Sequence, residues 1–179
     1  MNATIIPQLI RKDIDLYKNF VLGALAGGVL SILLILFSGG GVLGLVGIVA
    51  LFITMMVFAS LVPGQCLVNE RKHQTLSFLM SLPLSAFQYT AAKLASAFLL
   101  FLIPWVMMTT AGAAIIMLSP VITGGLLPVF FLLCLMIMAG MFVSSGVALV
   151  AESEGWFVAT TIIVNVSYNF VWIAIVPSY

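Results

Sequence analysis

Two stretches without a single Asp, Glu, Lys or Arg, residues 19–69 and 94–151, constrain what this chain can fold into more than any other feature. They hold 51 and 58 residues. As helices at ~1.5 Å per residue they would reach ~75 and ~87 Å, against ~30 Å for the hydrocarbon core of a bilayer. Each must therefore fold back once. Hydrophobic residues fill 64% of the 179 positions and charged residues 6%, where soluble domains carry roughly 45–50% and 25%. That composition places the chain in a membrane.

A turn is available near the middle of each run: Ser38-Gly39-Gly40-Gly41 in the first, and Ser119-Pro120 through Gly124-Gly125 in the second. Such clusters punctuate helices because glycine is permissive and proline lacks a donor. The pattern predicts two helical hairpins with spans near 20–37, 42–64, 90–118 and 126–150, Pro63-Gly64 closing the second span. Residues 156–176 read as a fifth span, less apolar because of Asn165, Ser167 and Asn169. The fold class is thus all-α, a polytopic transmembrane bundle.

Basic residues favour the cytoplasmic side when they lie close to span ends. Arg11, Lys12 and Lys18 precede span one, Arg71 and Lys72 lie between spans two and three, and Lys93 opens span three. All six fall on one side, so the amino terminus is expected in the cytoplasm and the carboxy terminus outside a multi-pass protein of the cell membrane. A cleavable signal is the alternative for the first 40 residues. The apolar run of about 18 exceeds the 7–15 of such signals, and no A-x-A-like site follows. Cys66 and Cys134, one expected in the cytoplasm and one inside a span, form no disulfide framework.

Residues 5–19 are expected to form an interfacial amphipathic helix. At 100° per residue Gln8, Arg11, Lys12, Asp15, Lys18 and Asn19 share one side, and Ile6, Leu9, Ile10, Leu16, Tyr17 and Phe20 the other. Such a helix buries its apolar face at the acyl boundary. Asp13 breaks the pattern, projecting from the apolar side. It either snorkels or caps locally, or it pairs with a basic group elsewhere in the bundle, since buried charges need partners.

Between spans two and three, residues 69–85 interrupt the apolar chain with Glu70-Arg71-Lys72-His73, followed by Leu76, Leu79 and Met80 at i, i+3, i+4. This spacing predicts a short amphipathic helix. Thr75 can cap its start, and Pro83 stops it, because the residue before proline avoids helical geometry. Ser85-Ala-Phe-Gln88 then has the S-x-x-Q form of a capping box, which starts span three near Ala86.

The order of these features, an Arg-Lys-Asp helix before span one, then Glu70-Arg71-Lys72-x-x-Thr75-Leu76-x-Phe78-Leu79-x-Ser81-Leu82-Pro83-Leu84-Ser85 and Lys93, resembles permease subunits of type-2 ATP-binding-cassette transporters. The resemblance covers about residues 5–118. It implies that Thr75 to Pro83, with Leu76, Phe78, Leu79 and Leu82, is a cytoplasmic coupling helix docking on an ATPase subunit, with Glu70, Arg71 and Lys72 at its approach. It implies as partners cytoplasmic ATP-binding-cassette ATPase subunits and a second permease subunit, the same or related. Export is the implied direction. The chain departs from the family at Ser77, where such permeases often carry an acidic residue, and in five spans where six are usual.

No G-x-x-x-x-G-K-[ST] loop is present, since Lys12, Lys18, Lys72 and Lys93 follow Arg, Tyr, Arg and Ala. ATP is therefore expected on a partner, and this chain should need no cofactor of its own. Membrane lipid, not nucleic acid, is its expected surrounding. The alternative is a channel or an ion-coupled carrier; carriers place acidic residues or histidine inside the membrane, and the sequence puts none deep in a span. An enzyme is the third class. Cys66, Glu70 and His73 stand at i, i+4, i+7 and could ligate zinc, but no fourth ligand or H-E-x-x-H accompanies them. No catalytic residue and no metal site are expected.

Gly23, Gly27 and Ser31 in span one, and Gly140, Ser144 and Ala148 in span four, repeat small residues every fourth position. This permits close helix approach within the chain or between two copies. Thr161, Asn165, Asn169 and Trp172 form a polar stripe on span five, for interhelical hydrogen bonding or for lining a path. Glu152 and Glu154 precede that span, where the helix macrodipole favours carboxylates. Pro104 should bend span three.

Overall fold

The structure, a computed structural model, describes residues 5–38, 42–68, 86–118, 127–150 and 153–175, with side-chain surroundings for 11–38, 42–68, 87–118, 127–150 and 153–170. The described residues are helical apart from Ser38 and Ser153. Five α-helices follow in chain order: α1 (Ile5–Phe37), α2 (Val42–Pro63), α3 (Ala86–Leu118), α4 (Leu127–Val150) and α5 (Glu154–Ile175). The turns expected at 38–41 and 119–125 lie, apart from Ser38, outside the described residues, as does the Ser85 cap; α3 is described from Ala86 onward.

Three expectations need correction. The boundary between an interfacial helix over 5–19 and a span from 20 is not there, because α1 runs unbroken for 33 residues. Nothing between Lys18 and Leu22 stops it: no proline occurs, and the amphipathic face passes into the apolar segment without a turn residue. At ~1.5 Å per residue it reaches ~50 Å, some ~20 Å more than a hydrocarbon core. Pro63-Gly64 does not end the second span either. The chain leaves α geometry there but continues through a π-helical turn, Gly64–Val68. Wide turns of this kind often sit at functional positions. Finally, α5 forms, but among the described residues the four helices long and apolar enough to cross a membrane are in α1, α2 with its π turn, α3 and α4. Asn165, Asn169 and Glu154 lower the apolarity of α5.

Helix α2 lies at the centre, packed against α1, α3 and α4, while α5 packs on α4. The core is built from Leu51, Met55 and Phe58 of α2, Phe101 of α3, and Ile137 and Met141 of α4. Large apolar side chains also cover the outside, among them Leu22, Leu30, Leu45, Ile103, Leu135 and Ile163. An apolar exterior over a core that holds Asp13, Lys93, Ser96 and Ser144 suits lipid surroundings, where polar groups must be satisfied internally.

The small residues work mainly inside the chain. Gly27 faces Thr54, and a Cβ at Gly47 would lie 2.9 Å from the Ile35 backbone nitrogen and 3.0 Å from the Ser31 carbonyl oxygen. Side chains between α1 and α2 are thus excluded at that crossing. Gly140 forms the notch that receives Tyr168 and Val164 of α5, and Ser144 and Ala148 are buried. Gly23 alone of the six faces open space.

Candidate functional site

The amino-terminal half of α1 carries the chemistry. Asp13 lies eight residues from the start of α1 and Lys93 seven from the start of α3, depths of about 10–12 Å along each helix. Lys93 Nζ donates to both carboxylate oxygens of Asp13 at 2.8 Å. The side chains are 3% and 1% exposed. The lone acid on the apolar face therefore neither snorkels nor caps locally; it pairs across 80 residues of sequence. Lys93 thus supplies the partner that a buried carboxylate needs.

One turn further along α1, the Tyr17 hydroxyl donates to the Gln65 carbonyl oxygen at 2.8 Å. That acceptor belongs to the π turn. One turn further again, Phe20 stacks on Phe58 of α2 with ring centroids 5.3 Å apart. The rings continue through Phe58 to Phe101 and from Phe101 to Trp105 on α3, each at 6.4 Å. Trp105 Nε1 donates to the Cys134 carbonyl oxygen on α4 at 3.2 Å. Arg11, Lys12, Asp15, Lys18 and Asn19 on the opposite face of α1 are exposed, as the face assignment expects. Leu16, assigned to the apolar side, is exposed as well.

Residues 69–85 lie outside the described residues, and with them Glu70, Arg71, Lys72, Thr75, Leu76, Phe78, Leu79, Leu82 and Pro83. Their flanks are defined: the π turn ends at Val68 and α3 starts at Ala86. Tyr17 touches the first flank, and Asp13 holds Lys93 on the helix that leaves the second.

The polar stripe of α5 divides. Asn165 Nδ2 donates to Ser60 Oγ of α2 at 3.0 Å and to the Thr161 carbonyl oxygen at 2.8 Å. Ser60 in turn donates to the Met56 carbonyl oxygen. Asn165 is thus an interhelical link. The buried hydroxyl of Thr161 has no partner among the described residues, and Asn169 is exposed, donating to the Asn165 carbonyl oxygen at 3.2 Å. The Trp172 side chain lies outside the described residues. A further tie, from α5 to α4, escaped sequence reasoning. Tyr168 fills the Gly140 notch and donates to the Met136 carbonyl oxygen at 3.2 Å.

Cys66 and Cys134 are buried and not joined in a disulfide. No group of three or more His, Cys, Asp or Glu that could hold a metal occurs among the described residues; Glu70 and His73 lie outside them. No family model, no curated protein and no solved structure matches the chain.

Proposed function

We propose that this chain is the membrane-spanning permease subunit of an ATP-binding-cassette transporter of the type-2 class, driven by separate cytoplasmic ATPase subunits. The observation that carries the reading is the residue pattern of 69–85, charged then amphipathic then stopped by Pro83, placed between two long apolar helices. Closure of the motors on ATP would press on Leu76, Leu79 and their neighbours and displace the adjoining ends of α2 and α3. A second permease subunit, identical or related, completes the path in this reading, and export is its direction.

Leu79→Asp tests it, by placing a charge on the apolar docking row. Reconstituted with its motor, the variant is expected to insert normally and to lose the permease's stimulation of ATP hydrolysis. Undiminished stimulation by a well-inserted variant overturns the coupling role.

One observation favours a second reading, a carrier driven by an ion gradient. Ionisable pairs inside apolar helices commonly mark ion or proton relays, and Asp13 and Lys93 are such a pair. On that reading, liposomes holding this chain alone move solute down an imposed gradient without ATP, and Asp13→Asn stops the flux. Flux that depends on motor and ATP excludes it.

A further inference from the structure

The contacts made by Asp13 and Tyr17 reach two different helices from adjacent turns of one. Asp13 binds Lys93 near the start of α3, and Tyr17 binds the Gln65 carbonyl in the π turn that closes α2. These helix ends border residues 69–85 on either side. A side chain reaching a single neighbour would pack one hairpin; two polar bonds from consecutive turns to both neighbours make a bracket.

We propose that Asp13 and Tyr17 are positioning residues that clamp the amino-terminal half of α1 across the end of α2 and the start of α3, so that the three move as one body. The bracket does not depend on what moves it. Under the transporter reading it rests on the motor as the source of force, and it makes α1, with the Phe20–Phe58–Phe101 stack behind it, the element through which displacement enters the bundle.

Three features support a clamp over separate packing contacts. Both bonds are long-range, spanning 80 and 48 residues. The ion pair is sealed from solvent at 3% and 1% exposure, where its attraction is strong and directional. The second bond ends on a backbone carbonyl in a π turn, so it holds the main chain and not a side chain that could swing away.

A clamp requires that loosening either bond loosens both ends, and backbone hydrogen exchange of the full chain in lipid nanodiscs reads this directly. Tyr17→Phe removes one hydroxyl and keeps the ring. It is expected to speed exchange about tenfold at 64–68, around the carbonyl that its hydroxyl bonds, and also at 89–95 on α3. Asp13→Asn should do the converse, speeding exchange at 64–68 as well as at 89–95. The charge-swapped pair Asp13→Lys with Lys93→Asp should restore protection at both. If each single variant alters only the segment it touches, the two bonds are independent and the clamp is overturned. No motor is present in this experiment, so its outcome is separate from that of the Leu79→Asp test. Should Asp13→Asn unfold, Tyr17→Phe alone decides, by whether protection at 89–95 falls.

Discussion

Asp13 and Lys93 were both visible in the sequence as anomalies: one acid on the apolar side of an amphipathic segment, and one lysine early in a long apolar run. What the sequence could not show is that they meet, because nothing local links residues 80 apart. The signal that could have joined them is depth. Two orphan charges of opposite sign, at similar distances from the starts of helices on the same side, are natural partners. Nothing local links Asn165 and Ser60 either, which lie 105 residues apart. Losing one member of a buried pair strands the other, so Asp13→Asn is expected to destabilise the protein by about 3–5 kcal/mol in unfolding titrations in mixed micelles. The double variant Asp13→Leu with Lys93→Met should instead be neutral or more stable by about 1–4 kcal/mol, while losing the exchange coupling between helix ends. Asn165→Leu should cost little, about 0.6 kcal/mol and at most about 1.7, the measured range for interhelical hydrogen bonds in a membrane protein. Gly140→Ala should cost more, about 1–3 kcal/mol, because its methyl must displace Tyr168 from the notch.

At the scale of elements, the hairpins were legible because uncharged run lengths exceed one span and Gly and Pro clusters divide them. Helix α1 was less so. Its amphipathic beginning suggested a separate surface helix, yet helices end at breakers or caps and not where one face changes character. Its continuity has a consequence: a break at the join should uncouple the clamp from the rest. Asn19→Pro, on the exposed face, removes one backbone bond and should cost about 3 kcal/mol or more. Exchange protection at 11–18 should fall while that at 30–37 is retained. Equal loss in both stretches would mean that α1 unfolds as a unit and carries no separable amino-terminal half.

At the scale of the whole molecule, four helices among the described residues are apolar enough to span a membrane, and the described charged residues lie in the first halves of α1, α3 and α5, a polarity that accessibility can read. Single cysteines placed at Lys12, Glu154 and Ser38, in a chain whose Cys66 and Cys134 are replaced by alanine, should divide. The first two are expected to react with an impermeant reagent from the cytoplasmic side and the third from the other. Ser38 reacting on the same side as Lys12 would deny the first hairpin. The proposed function rests on the pattern of 69–85 alone, because docking on a motor would be a property of two chains and would leave one half of its chemistry elsewhere. The most direct measurement is therefore gentle extraction of the native protein and its Leu79→Asp variant, with mass spectrometry of what co-purifies. An ATPase bearing a phosphate-binding G-x-x-x-x-G-K-[ST] loop is expected with the native protein and absent from the variant. If neither form retains an ATPase under conditions that preserve other membrane complexes, the motor-driven reading is contradicted.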